Sequence, residues 1–249
     1  MAIDLAHAQP DQFKNSLSGW WMTLSCDTQR LLKNRRLVEC NICGWQGNRF
    51  YPHVTKSRAV PDEKCPRCHS IPRYRLLQYF LVNELNFYHE RLDVLEVGPN
   101  RSLQEVLQKN PNFSYVSIDL TAPHAMHHMD VTDLKFDDRS FDFIFCISVM
   151  QFVEDDYKGF QEMYRVLRPG GRLVFASGVD ITLERTMIFP VPDVRQSYAR
   201  RTFGRDVSGL MEKAGFKVKI YYPAERIDEG LIKRLRMTRD PIYLLTRDR

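Results

Sequence analysis

The 249 residues contain no apolar run approaching the roughly 20 that a membrane-spanning helix needs, which excludes a helical membrane protein. The opening stretch, MAIDLAHAQPDQF, has no basic start leading into an apolar core. A secretory signal is therefore not expected, and the cytoplasm is the expected location, with no membrane partner. Internal repeats and low-complexity tracts are missing too, which excludes solenoid architectures. Cysteine is sparse: of six residues, four fall in two C-x-x-C pairs, and Cys26 and Cys146 stand alone. In a cytoplasmic chain this favours metal binding over disulfides.

What is present suits a globular α/β chain. Hydrophobic residues make up 43% and charged residues 27%. The length accommodates one large domain and a small module. The net charge of +5 is uneven: from Arg195 onward there are 14 Lys and Arg against 7 Asp and Glu. That surplus suits a solvated surface, an anionic substrate or a nucleic acid.

Three regions are expected. Residues 1–36 read as a helical lead-in, with Phe13, Leu17, Trp20, Trp21 and Leu24 close to helical spacing. Residues 37–70 hold the paired cysteines. Residues 71–249 alternate strand and helix signals. A helix follows Ser70, with Ser70 as its cap, Pro72 in its first turn and a stripe of Leu76, Leu77, Phe80, Leu81 and Leu85. Strands are predicted over 92–98, 114–120, near Met129, and over 141–148, 172–177, 216–222 and 242–246. The last two are candidates for an antiparallel pair. Helices are expected between most of them, notably in DDYKGFQEMYRVL and RDVSGLMEKAG. Near-continuous apolar strands indicate a buried parallel sheet. The fold class is thus α/β: a Rossmann-like, seven-stranded, mostly parallel sheet with helices on both faces, plus a small N-terminal zinc ribbon.

Cys40-Asn-Ile-Cys43 and Cys65-Pro-Arg-Cys68 can each turn two thiolates toward one metal. Four thiolates close a tetrahedral zinc shell and leave no open position, so Cys40, Cys43, Cys65 and Cys68 are expected to hold a structural zinc ion. His69 is read as a neighbour of that site.

The cofactor residues follow from strand ends. LDVLEVGPN places Glu96 two residues before Gly98, and a glycine there lets backbone approach a ligand closely. Ligands of α/β sheets bind at the carboxyl ends of strands. Asp119 ends the next strand, where a carboxylate can accept both hydroxyl hydrogens of a ribose, and Leu120 adjoins it. Asp130, in HHMDVTDL, is placed to accept from an exocyclic adenine amine.

This order, with SFDFIF, RVLRPGGRLVF, CPRCHSIPRYRLLQYFL and YARRTFGRDVSGLMEKAGFKV, resembles the class I S-adenosylmethionine-dependent methyltransferases, specifically the type 11 group. The likeness spans roughly residues 40 to 246. It implies that Glu96 and Gly98 line the methionine part of S-adenosylmethionine, that Asp119 holds the ribose, and that Asp130 and Val131 meet the adenine. It implies that Ile147 and Ser148 present backbone to the cofactor's amino group. Where the group carries G-x-G, this chain has Gly98-Pro99-Asn100-Arg101; Asn100 tolerates a left-handed turn better than most residues, and Arg101 is placed to reach the cofactor's carboxylate.

Methyl transfer needs an aligned nucleophile and a water-excluding site. A general base is needed only where the acceptor must lose a proton. Candidates for catalytic roles are His128, Tyr198 and Arg200, with His124 and His127 as further histidines of the same loop. Arg195, Arg200, Arg201 and Arg205 are candidates to anchor a carboxylate or phosphate. The expected function is methyl transfer to a small molecule, such as an anionic compound, a sugar or a secondary metabolite. The alternatives are a zinc-ribbon RNA methyltransferase and a non-catalytic cofactor-binding or scaffold protein.

Overall fold

The structure, a computed structural model, describes residues 37–54, 59–193 and 198–249. The expected lead-in helix over 1–36, Cys26 and the candidate Arg195 lie outside the described residues.

Each C-x-x-C pair forms a tight turn. Cys40 N–H donates to Trp45 O and Gly44 N–H returns to Cys40 O; Cys65 N–H donates to Ser70 O and His69 N–H returns to Cys65 O. Both turns close through a left-handed residue after the second cysteine, Gly44 at φ 71° and His69 at φ 61°. His69 is therefore part of the second turn's geometry. Strands β1 (Val38–Glu39) and β2 (Gln46–Gly47) pair around the first turn, and β3 (Tyr51–Val54) pairs antiparallel with β4 (Ala59–Lys64). A small core of Val38, Cys40, Phe50 and Cys65 fills this region.

Helix α1 (Pro72–Asn83) follows directly. Its cap differs from expectation: Ile71 is the N-cap residue and makes no side-chain cap. The Ser70 hydroxyl is instead 3.3 Å from Cys40 Sγ and 3.2 Å from Cys68 Sγ. The hydroxyl is engaged at the cysteine cluster and is not left for the helix.

The main sheet has seven strands. Those from β5 to β9 are β5 (Leu92–Val97), β6 (Phe113–Asp119), β7 (His127–His128), β8 (Phe141–Ile147) and β9 (Leu167–Ala176). A separate hairpin of β10 (Met187–Asp193) and β11 (Ala199–Thr202), which the sequence pattern did not reveal, precedes the last two sheet strands. These are β12 (Lys217–Tyr221) and β13 (Ile242–Thr246). The sheet order is β12-β13-β9-β8-β5-β6-β7. Strands β5 to β9 are parallel, and β13 runs antiparallel to both neighbours, so the last two strands do pair as expected. The Pro169-Gly170-Gly171 segment does not precede a new strand. It lies inside β9, where a register shift against β8 absorbs it and Gly170 takes φ 79°.

Strand alternation distributes side chains to two cores. Leu95, Ile144, Cys146, Leu173 and Phe175 face helices α3 (Asp156–Val166) and α4 (Val207–Lys213). Val94, Phe143, Phe145, Val174 and Ala176 face the other side, where α1, α2 (Arg101–Lys109) and α6 (Glu229–Leu235) pack; a one-turn α5 (Pro223–Arg226) precedes α6. The seven-stranded, mostly parallel α/β class is as the sequence indicated.

Arg75 joins the cysteine region to this sheet. Its guanidinium is fully buried and donates to Leu235 O at 2.6 Å, Ser70 O at 2.7 Å, Glu63 O at 2.8 Å and Arg236 O at 2.9 Å. It also stacks over Phe50 at 4.3 Å. Burial pushes its pKa down, while the sulfurs of Cys40, Cys65 and Cys68 act in the opposite direction. Arg234–Glu39 and Arg236–Asp62 ion pairs flank the same seam. Removing a donor from buried acceptors leaves each with its desolvation cost. Arg75→Met is expected to lower stability by at least about 2 kcal/mol in urea unfolding. Arg234→Met, which breaks only a half-exposed pair, is expected to change it by less than about 1 kcal/mol.

Candidate cofactor crevice

Strands β5 and β8 are neighbours in the sheet, yet the chain leaves β5 toward β6 on one side and returns to β8 on the other. Such a reversal opens a crevice at the carboxyl ends of the strands. Gly98, Asp119 and Ser148 all lie at that edge.

Gly98 takes φ 68° and donates its N–H to Ile118 O at 2.8 Å. A Cβ on it would come within 2.4 Å of Val149 Cγ2, so both backbone conformation and space demand glycine. The left-handed residue of the loop is thus Gly98, not Asn100 as the sequence suggested. Asn100 is extended, at φ −104°, and caps α2: its Oδ1 accepts from Ser102 N–H at 3.1 Å and from the Ser102 hydroxyl. The cap, two residues beyond Gly98, fixes the start of α2. Arg101 begins that helix and is exposed.

Glu96 supports the loop from below. Its Oε1 accepts from Asn100 N–H at 2.9 Å and its Oε2 accepts from the Tyr115 hydroxyl at 2.5 Å. Both oxygens are engaged by protein. Burial pushes the Glu96 pKa up to about 7 against the lowering effect of these two bonds. His124, one of the candidate histidines, braces the same loop with Nε2 2.9 Å from Pro99 O.

Asp119 divides its carboxylate. Oδ1 accepts from Thr121 and Ala122 N–H, each at 2.8 Å, which fixes the side chain. Oδ2 has no hydrogen-bond partner among the described residues and lies 3.8 Å from the Cβ position of Gly98. Leu120 beside it is 63% exposed, an apolar surface at the crevice edge. Asp130 repeats the arrangement, with Oδ1 accepting from Thr132 N–H and hydroxyl. Val131 and Ile147 are buried, one in each core, so only their backbone is left to meet a ligand.

Ser148 is in the left-handed region at φ 60°, strained for a residue with a side chain. Its N–H donates to Ala176 O at 2.9 Å, and its hydroxyl accepts from Arg73 of α1. Arg73 also pairs with Asp240 at 3.5 Å. The buried Tyr74 beside it has Glu96 and Arg73 among the charges acting on it. Arg73 and Tyr74 were absent from the sequence reading as site residues; their signal was the R-x-R run after the second cysteine pair.

The candidate catalytic residues do not form one cluster. His128 is exposed on β7, the sheet's edge strand, opposite Asp119. Tyr198 and Arg200 lie on the far side, where Arg200 N–H donates to Gln151 O at 2.9 Å and its guanidinium pairs with Glu154 at 3.3 Å. Arg201 is not a free anchor: it is buried, paired with Asp156, and donates to Val153 O and Glu154 O. Arg205 pairs with Glu184 on the surface.

The four cysteine sulfurs lie within 4.8 Å of one another, with Cys40–Cys68 and Cys43–Cys65 each at 3.6 Å. Bonds of about 2.3 Å to one zinc ion imply sulfur–sulfur edges of about 3.8 Å. The separation is far beyond a disulfide bond of about 2.05 Å. The set therefore fits a tetrahedral ion.

A family model described as "Methyltransferase domain" matches residues 92–175. That segment carries β5 to β9, Glu96, Gly98, Asp119, Asp130 and Ser148, so the match to a methyltransferase domain takes in the carboxyl edge of the sheet where the crevice opens. The chain is 41% identical over 71 residues to a demethylmenaquinone methyltransferase of Clavibacter sepedonicus, covering 28% of this chain and 26% of that protein. It is 35% identical over 127 residues to methyltransferase GfsG of Streptomyces halstedii, covering 49% of this chain and 40% of that protein. The chain thus matches well under half of either relative's length. The crystal structure of the 4+2 cyclase SpnF shares the fold, with TM-score 0.50 and 14% identity over 70% of this chain and 80% of that one.

The raised Glu96 pKa has a testable sign. Because the folded-state value lies above the unfolded one, the wild type loses stability as pH rises from about 4.5 to about 7. Relative to wild type, Glu96→Gln is expected to gain up to about 3 kcal/mol across that window in urea unfolding, and a constant difference would contradict the assignment.

Proposed function

We propose that this protein transfers the methyl group of S-adenosylmethionine to a small-molecule acceptor, and that Cys40, Cys43, Cys65 and Cys68 hold a structural zinc ion. The observation that carries the proposal is the free Asp119 Oδ2 facing the left-handed Gly98 at the mouth of the crevice, within the segment matched by the methyltransferase family. Asp119 Oδ2 is the acceptor for ribose hydroxyls, and Leu120 and Asp130 flank the adenine. Gly98, Asn100 and Ser148 offer backbone to the methionine part. When bound, the cofactor supplies an electrophilic methyl carbon for in-line displacement. The chain's share is to fix the loop through Glu96, to shield the site through Val149 and Tyr74, and to orient the acceptor.

The acceptor side is assigned to Tyr198 and to Arg200, whose N–H donates to Gln151 O in the loop after β8; His128 lies on the edge strand β7, opposite Asp119. The name of one relative, a demethylmenaquinone methyltransferase, supports a small-molecule acceptor. The division into a zinc-binding module over 37–70 and a methyltransferase domain over 71–249 is part of the same reading. No helix among the described residues is long and apolar enough to cross a membrane.

Calorimetric titration with S-adenosylhomocysteine tests the cofactor assignment. Micromolar binding by wild type and at least tenfold weaker binding by Asp119→Ala are expected, because a charge-assisted acceptor is lost. An unchanged affinity would remove Asp119 from the site. Elemental analysis of purified protein is expected to return one zinc ion per chain, lost in Cys65→Ser.

A further inference from the structure

Arg73 links α1 to two edges of the crevice. It donates to the hydroxyl of the strained Ser148 at the end of β8 and pairs with Asp240 just before β13. Its Nε is buried and has no hydrogen-bond partner among the described residues. A buried guanidinium N–H is rarely left unmade, because its desolvation is uncompensated. The neighbouring Tyr74 reports that Glu96, beneath the Gly98 loop, is close by. Arg73 therefore carries its unmade donor beside Ser148, at the carboxyl end of β8.

The chain fixes this position from the cysteine side. Arg73 is five residues beyond Cys68. The Ser70 hydroxyl contacts Cys40 and Cys68 Sγ, and the Ser70 carbonyl is held by Arg75. The start of α1 cannot shift without disturbing these contacts. Glu96, the nearby acid, has its oxygens occupied by Asn100 N–H and the Tyr115 hydroxyl and does not take the Arg73 donor.

We propose that Arg73, positioned by the four-cysteine turns, takes the amino-acid carboxylate of the cofactor and so selects S-adenosylmethionine over analogues that lack this group. The assignment rests on the methyltransferase reading above. A guanidinium matches a carboxylate through two parallel N–H donors, and Asp240 and Ser148 hold it in place until that ligand enters. Arg101, the candidate suggested by the sequence, is exposed at the start of α2 and lacks such supports.

The test compares two ligands by calorimetry on the zinc-loaded full chain. S-adenosylhomocysteine carries the carboxylate; S-adenosyl-3-thiopropylamine keeps the amine and lacks only the carboxylate. Wild type is expected to prefer the first by at least tenfold. Arg73→Gln is expected to lose that preference, with affinity for the decarboxylated analogue unchanged, and Arg73→Lys to restore part of it. Thermal unfolding of both variants checks that they fold. An equal loss for both ligands would show a merely structural role and overturn the proposal. A preference retained in Arg73→Gln would overturn it as well, leaving the cofactor reading intact. Binding of neither ligand by folded wild type would overturn the cofactor reading, and this assignment with it.

Discussion

The buried Arg75 guanidinium is the contact on which the relation between the cysteine region and the sheet depends. Four carbonyls from three separate segments converge on it: Glu63 of β4, Ser70 of the second cysteine turn, and Leu235 and Arg236 at the end of α6. The Ser70 oxygen also accepts from Cys65 N–H, and Arg75 is the donor that reaches all four. A lysine could not serve them, since it presents one compact ammonium where the fork of a guanidinium reaches several acceptors. The nearby sulfurs favour a positive charge at this point, and four thiolates around a divalent cation would carry net negative charge for the guanidinium to offset.

From that junction the geometry propagates to the crevice. Arg75 fixes the first turn of α1; the first turn carries Arg73 and Tyr74; and these lie against Ser148 and near Glu96. Glu96 in turn sets Asn100, and Asn100 caps α2. The cysteine turns are thus tied by hydrogen bonds through Ser70 and Arg75 to α1, and through Arg73 to Ser148 at the end of β8, with Glu96 and the Gly98 loop within electrostatic reach of Tyr74.

The sequence was informative where a local pattern suffices. Apolar strands such as FDFIF, the paired cysteines, and Gly98 and Asp119 at strand ends were legible because each depends on neighbours a few residues away. Boundaries moved by a residue or so, and Ser70 was misread as a helix cap because the folded cysteine turns bring both Cys68, two residues before it, and Cys40, thirty residues before it, to its hydroxyl. Asn100 was given the left-handed turn that Gly98 takes; its own preference for capping a helix prevailed. The β10–β11 hairpin was missed because prolines and exposed apolar residues obscure its alternation. Arg75 was illegible for a different reason: two of its acceptors lie about 160 residues further along the chain. No local pattern announces such a contact. Arg201 shows the converse, a basic residue that looked like a substrate anchor and is consumed by Asp156 and two carbonyls.

The central claim is that the cysteine turns and the cofactor crevice form one mechanical unit joined through Arg75. Hydrogen exchange on metal-loaded and chelator-stripped protein, each with and without S-adenosylhomocysteine, tests it most directly. The account predicts that stripping the metal raises exchange at residues 72–76 and 235–237 together with the cysteine turns, and that it weakens protection by S-adenosylhomocysteine around residues 98–103. Faster exchange confined to residues 38–68, with ligand protection of the crevice unchanged, would contradict it.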